Sequence, residues 1–343
     1  MRKKVLVIVA LLGLSALVAV AAFLVLYQTF LTTPAAPPAA VEFTIERGDS
    51  FKKVAQQLHR EKVISNLFYF ELHARQEKAA SRIQAGDYLF DKPATPREVL
   101  NRLVEGDIIL NRLTLPEGLT VRETARKMAE AKLCKEEEIT GPAFNPEFVH
   151  SLGIEAESLE GYLFPETYSF PKKTSAEQFL KMMVDMFKAK LTPDILKGAK
   201  ERGLDRHQLV TLASIIQKES GNRDEMPLIA AVFHNRLQRG IALQADPTVI
   251  YGIKDFDGNL TRKHLQTPTP YNTYVKRGLP PGPIANPGLE ALRAAAFPAE
   301  VKYLYFVSRG DGTHVFSHTL KEHNRAVLKY QKRRRSRNRN QDG

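Results

Sequence analysis

Glu219 closes an apolar helical stripe, a place where a core-facing side chain belongs and a carboxyl does not. In "LASIIQKES" (residues 212–220) and the turn before it, Leu209, Leu212, Ala213 and Ile216 recur at spacings of three and four and share one helical face. The next positions on that face are Glu219 and Ser220, after which Gly221 breaks the pattern. A carboxyl in the last turn of a helix meets the negative end of the helix dipole. Apolar neighbours such as Ile215 and Ile216 strip water from it. Both effects raise its pKa, which suits a general acid working near neutral pH. Lys218 would oppose them, but adjacent helical residues point apart. The plain alternative is an exposed glutamate at a helix end.

Other side chains could complete such a site. Glu166 and Asp246 are candidates for a second carboxylate, or for orienting a substrate. Tyr271, Asn272 and Tyr274 lie in "TPTPYNTYVKRGLPPGPIANPG" (residues 267–288), a loop whose length and proline content suggest function. Tyrosine and asparagine in a proline-fixed loop suit sugar binding: rings stack on sugar faces and amides bond hydroxyl and N-acetyl groups. Packing within the loop is the alternative for the tyrosines. Metal chemistry is not expected. Cys134 is the single cysteine, and the nine histidines show no HExxH-type spacing. His314 and His318 fall in a hairpin and its exit, where structural or surface roles are expected, and no cofactor is implied.

The elements that must carry these groups are legible in outline. Asp205 and Gln208 form a capping-box start for the helix that ends in Glu219. Helices are expected from Ser175 to about Lys190, from Glu225 to about Leu237, and after Thr319. "YLYFVSRGDGTHVFS" reads as a hairpin turning at Asp311-Gly312. Further upstream, "FTIERGDSFKKVAQQL" (Phe43 to Leu58) aligns with "LTLPEGLTVRETARKM" (Leu113 to Met128) at an offset of seventy residues. Gly48 matches Gly118 in the turn, and Ser50 matches Thr120 as helix N-cap, so two strand–turn–helix units are expected. A helix over Asn66 to Gln76 and a strand around Tyr88 to Phe90 complete a β-α-α-β order. That order resembles a LysM carbohydrate-binding module, with a structural spacer as the alternative.

The N-terminus determines where all this operates. Arg2, Lys3 and Lys4 precede an uncharged apolar run from Val5 to Tyr27, long enough for a membrane span of ~20 residues and longer than a signal h-region; a signal peptide cleaved at Ala19-Val20-Ala21 is the rival reading. The flanking charges predict a cytoplasmic N-terminus and an exported remainder. "TTPAAPPAA" (residues 32–40) reads as an extended tether within 28–40. The formal net charge of +12 is weighted to the last twelve residues, "KRRRSRNRNQDG", read as a solvated basic tail over 332–343. No basic face with interleaved aromatics or recognised motif points to nucleic acid. The expected class is therefore α+β: a transmembrane helix over 5–27, a LysM-like region over 41–141 and a mixed α/β catalytic domain over 142–331.

Several motifs occur in order: "LEGYLFPETY", "LASIIQKES", "VFHNRL", "QADPTVIYG", "TPYNTY", "GLPPGPIANPG" and "HVFSHTLKEHN". Together they resemble the membrane-anchored endolytic murein transglycosylases of the MltG (YceG-like) type. The resemblance implies that Glu219 is the catalytic acid and base and that Ser220 is its immediate neighbour. It brings Tyr168, Asn235 and Gln244 to the substrate-binding candidates beside Glu166, Asp246, Tyr271, Asn272 and Tyr274. The implied substrate is the glycan strand of peptidoglycan, cleaved between MurNAc and GlcNAc to leave a 1,6-anhydro end, in an enzyme of the bacterial inner membrane. Peptidoglycan synthases become candidate partners. A muramidase-type hydrolase and a non-catalytic glycan-binding scaffold are the competing readings; muropeptide masses separate all three.

Overall fold

The computed structural model describes residues 2–332; the basic tail, from residue 333 onward, lies outside the described residues. The chain forms two compact units, Met1–Asn111 with Ser169–Lys173, and Arg112–Tyr168 with Thr174–Gly343.

In the first unit, α1 (Arg2–Thr32) is followed by β1 (Val41–Ile45), α2 (Phe51–Arg60), α3 (Leu67–Gln76), β2 (Gly86–Phe90) and α4 (Pro96–Glu105). Helix α1 is long and apolar enough to cross a membrane, with a stretch of mean hydropathy 2.9 within Lys4–Thr32. Its last turns differ from the expected tether. Tyr27, Phe30 and Leu31 are buried in the core of the unit, and the Tyr27 hydroxyl donates to Gln76 Oε1 at 2.6 Å. Ala35 then pairs with Ala94 through two backbone hydrogen bonds of 2.9 and 3.0 Å. The apolar residues after the span find a core, so helix continues to Thr32 and the proline-rich connection is pinned at its middle.

Strands β1 and β2 pair antiparallel with Phe43 opposite Tyr88, and the inward residues Phe43, Ile45, Tyr88 and Phe90 are buried over Val54, Leu58 and Phe70. The β-α-α-β order is thus present. Helix α2 starts where the Ser50 hydroxyl accepts the Lys53 N–H, and α3 where Asn66 accepts that of Tyr69.

The opening recurs further along the chain: β3 (Leu110–Thr114), a turn, then α5 (Val121–Glu130). The two aligned turn glycines, Gly48 and Gly118, have φ of +91° and +82°, a left-handed conformation that explains glycine at both. The matched helix positions Val54, Ala55 and Leu58, and Val121, Thr124, Ala125 and Met128, are buried. After α5 come α6 (Glu136–Ala143), α7 (Pro146–Ser151) and β4 (Thr167–Pro171), which pairs with β3. The remainder is α8 (Ala176–Lys190), α9 (Pro193–Glu201), α10 (Arg206–Glu219), α11 (Met226–Gln238), α12 (Asp246–Tyr251), α13 (Arg262–Gln266), α14 (Leu289–Ala296), a hairpin of β5 (Tyr305–Ser308) and β6 (His314–Ser317), and α15 (Leu320–Val327).

Helix α10 is the centre of the second unit. Asp205 and Gln208 cap it reciprocally, the Gln208 N–H reaching Asp205 Oδ1 at 2.8 Å and the Asp205 N–H reaching Gln208 Oε1 at 3.0 Å. Every residue from Leu209 to Ile216 is buried. The sequence suggested one apolar stripe; the small polar residues Thr211 and Ser214 are buried too, because each hydroxyl donates to a backbone carbonyl. Helix α14, rich in alanine, packs against α10.

The long loop 267–288 is not a surface excursion. Its Ile284 N–H donates to Ser214 Oγ and its Gly288 N–H to Gln217 Oε1, each at 3.0 Å, so it lies along α10. Asn286 fastens it further. The Asn286 Oδ1 accepts the N–H groups of Gly161 (2.9 Å) and Leu163 (3.0 Å), and its Nδ2 donates to Leu119 O at 2.8 Å. Gly161 has φ of +88°, and a Cβ there would lie 2.5 Å from Pro283, so the close crossing of these segments requires glycine.

Candidate active site

Glu219 is the last residue of α10, held there by the core above it, and Ser220 leaves the helix in extended conformation. The Ser220 N–H still donates to Ile216 O at 3.0 Å, while its hydroxyl donates to Asn222 O at 2.5 Å. Ser220 therefore shapes the helix exit. Lys218 points elsewhere, its ammonium on Gly118 O at 3.2 Å.

The Glu219 carboxyl opens into a cavity of about 360 Å³ whose walls include Arg236, Gln244, Asp246, Tyr274 and His314. It has no hydrogen bond or ion pair among the described residues. Burial, reinforced by the negative charge of Asp246 and opposed by Arg236, pushes its pKa up to about 8. At neutral pH it holds a proton that no protein group claims.

Each neighbour is fixed by its own element. Asp246 opens α12, and its Oδ1 accepts the Tyr274 hydroxyl at 2.6 Å. Gln244 sits at φ +52°, a left-handed conformation that costs a non-glycine residue about 1 kcal/mol, and its N–H donates to Thr273 O at 3.1 Å. Arg236, only 7% exposed, anchors its guanidinium on three carbonyls: Nε on Leu304 O (2.7 Å), and Nη1 on Leu243 O (2.7 Å) and Ala242 O (3.3 Å). It also lies 5.2 Å from the Tyr305 ring centre. His323 of α15 lines the same cavity with its Nδ1 buried and unpartnered among the described residues.

Of the sequence candidates, the structure brings Glu219, Gln244, Asp246 and Tyr274 into one cavity. It does not bring the others there. The Glu166 side chain is 41% exposed and lies 3.6 Å from the Lys190 ammonium. Tyr168 is buried, its hydroxyl donating to Phe164 O at 2.6 Å. The Asn235 amide donates to Val301 O (2.8 Å) and Tyr303 O (2.9 Å), tying α11 to the segment before the hairpin. Asn272 is fully buried. Its Nδ2 donates to the carbonyls of His264, Leu265 and Thr267, and its Oδ1 accepts the Tyr274 N–H at 2.9 Å. It sets the shape of the loop that presents Tyr274.

Tyr271 faces a second cavity, of about 450 Å³, shared with Glu160 and His207. Glu160 is buried and accepts the Val121 N–H (3.1 Å) and the Tyr251 hydroxyl (3.1 Å). Burial pushes its pKa up to about 8 against these two donors. His207 is locked between the Tyr162 hydroxyl and Pro281 O, each at 2.8 Å; a carbonyl can only accept, so Nε2 carries the proton.

Arg236 and His323 are ionisable residues of the cavity that sequence reasoning did not single out, and His314, read from the sequence only as a hairpin residue, joins them there. Their signal was present in "VFHNRL" and "HVFSHTLKEHN", but the neighbours of Glu219 are distant in sequence. Among the described residues no cluster of three or more His, Cys, Asp or Glu could hold a metal ion.

Fold and site define a two-unit α+β protein whose second unit carries a shielded, unpartnered, proton-holding carboxyl open to a cavity. The chain belongs to the YceG-like family, whose model matches residues 43–329. An endolytic murein transglycosylase of Bacillus subtilis is 32% identical over 306 residues, 84% of each chain. One from Streptococcus pneumoniae is 27% identical over 318 residues, covering 83% of this chain and 57% of that longer one. The crystal structure of a YceG-like protein from Listeria monocytogenes aligns with a TM-score of 0.58 at 31% identity, over 83% of this chain and 98% of that one.

Proposed function

We propose that this chain is an endolytic murein transglycosylase, a lyase that cuts glycan strands of peptidoglycan between MurNAc and GlcNAc. Glu219 is its acid. The observation that carries this reading is the Glu219 carboxyl itself: delivered by a core helix, unpartnered, open to a cavity and pushed up to about 8. A protonated carboxyl of that kind protonates a glycosidic oxygen. The MurNAc C6 hydroxyl then attacks C1, a 1,6-anhydro ring closes, and no water is consumed.

The other groups take supporting roles. Asp246, oriented by Tyr274, keeps Glu219 protonated by its negative charge, and Gln244 and Tyr274 present amide and hydroxyl groups to the sugar. Asn272, Asn235 and Ser220 act through the backbone they hold. The β-α-α-β unit is a LysM-like glycan reader. Helix α1 anchors the enzyme in the inner membrane with its basic N-terminus in the cytoplasm, and the site acts on the far side on nascent strands from peptidoglycan synthases; the length and apolarity of the helix and its flanking charges support this.

Asp246 in the same cavity is what favours a second reading, a hydrolase that activates water with that carboxylate. Digestion of purified peptidoglycan followed by muropeptide mass analysis tests the choice. The expected products are anhydro-ended and absent with Glu219→Gln; reducing ends would establish the hydrolase, and no products from the wild type would leave a binding scaffold.

A further inference from the structure

The attack of the C6 hydroxyl on C1 releases a proton, and the structure offers a specific group to take it. We propose that His314, oriented by Glu225, is a second catalytic residue, the base for that hydroxyl. This rests on the transglycosylase reading above.

His314 begins β6 and lines the cavity that holds Glu219. Glu225, in the short 3₁₀ turn before α11, grips it twice. Its Oε1 accepts the His314 backbone N–H at 3.1 Å, and its Oε2 pairs with Nδ1 at 2.7 Å. The side chains are 10% and 15% exposed, so the pair is shielded from screening. A carboxylate can only accept, so Nδ1 carries a proton, and in the neutral ring the lone pair is then on Nε2. Nε2 has no partner among the described residues. The imidazole ring is edge-on to Phe306, with centres 5.4 Å apart, which fixes its plane. A carboxylate that sets the tautomer and orientation of a histidine whose other nitrogen is free is the arrangement that makes imidazole a base in hydrolytic triads.

The proton balance is complete without an added reagent. O6 bonds to C1 as the bond from C1 to the departing sugar oxygen breaks. That oxygen takes the Glu219 proton, and Nε2 of His314 takes the O6 proton. Glu225 stabilises the imidazolium formed. Transfer of the surplus proton from His314 back to the Glu219 carboxylate resets the site. The charged and titratable groups around His314 are Glu225 on one side and Glu219, Arg236, Asp246, Tyr274 and His323 across the cavity.

The test uses the full-length protein in detergent with purified peptidoglycan. His314→Asn keeps an amide donor for Glu225 and deletes Nε2, and His314→Ala leaves a space that added imidazole can fill. Loss of a general base predicts a fall in turnover of about 10²–10⁴-fold for His314→Asn with little change in KM. The thermal midpoint should stay near that of the wild type. Imidazole should restore turnover to His314→Ala and not to Glu219→Gln. Near-normal turnover by His314→Asn would overturn the proposal and leave Glu219 as both acid and base. A loss that imidazole cannot relieve would make His314 structural. If wild-type protein releases no anhydro products, the transglycosylase reading itself has failed, a result distinct from either.

Discussion

Replacing Glu219 with Gln should inactivate the protein and at the same time stabilise it. The carboxyl ordinarily titrates near 4.5 and is pushed up to about 8 in the folded chain, chiefly by burial and then by Asp246. Between those values the unfolded chain releases a proton that the folded chain keeps, so stability falls as pH rises. Each pH unit in that window costs about 1.4 kcal/mol, and from 4.5 to pH 7 the group costs the fold about 3 kcal/mol. Glutamine has the same shape and a similar helix propensity but no proton to hold, so the penalty disappears. For a unit of this size the gain corresponds to a rise of roughly 6–12 °C in Tm at pH 7. The difference between variant and wild type should be near zero at pH 4.5 and grow up to about pH 8. Glu160, also pushed up to about 8, contributes equally to both proteins and cancels. Thermal unfolding of the two proteins across this range is the assay. A Glu219→Gln protein with wild-type stability at every pH would refute the shielded carboxyl.

Asn272→Ala empties a buried site and leaves three partly buried carbonyls and the Tyr274 N–H without the partners they now have, so it should cost about 1–3 kcal/mol in denaturant unfolding as well as activity. Unchanged stability would mean that the amide instead serves a ligand. Tyr274→Phe removes only the hydroxyl that orients Asp246, and should lower turnover about tenfold while changing stability by about 1 kcal/mol or less. Full activity would exclude that hydroxyl from the chemistry. Protease added to spheroplasts should degrade everything beyond α1, and complete protection would reverse the orientation drawn from its flanking charges.

Local signals in the sequence carried far. Capping at Asp205 and Gln208, the turn at Asp311-Gly312 and the repeat marked by Gly48 and Gly118 are short-range chemistry, and all three stand in the fold. The location of Glu219 was legible for the same reason, because helical periodicity shows which face a residue joins. Side-chain direction in the loops was not. Tyr271 and Tyr274 are three residues apart, yet they face different cavities, because Asn272 between them is pinned by three carbonyls contributed by residues 264–267. The tether differed because Phe30 and Leu31 are apolar enough to extend the helix into a core that lies tens of residues further along the chain. Arg236, and the place of His314 in the cavity, were hidden by distance: their partners are Leu304 and Leu243, and Glu225, up to 89 residues away.

The proposed chemistry is an intramolecular ring closure driven by Glu219 and not the addition of water. It is tested most directly by digesting purified peptidoglycan in water enriched in heavy oxygen and weighing the released muropeptides. Anhydro products of unshifted mass are expected from the wild type and none from Glu219→Gln. Incorporation of heavy oxygen at the new glycan ends, or undiminished cleavage by Glu219→Gln, would contradict it.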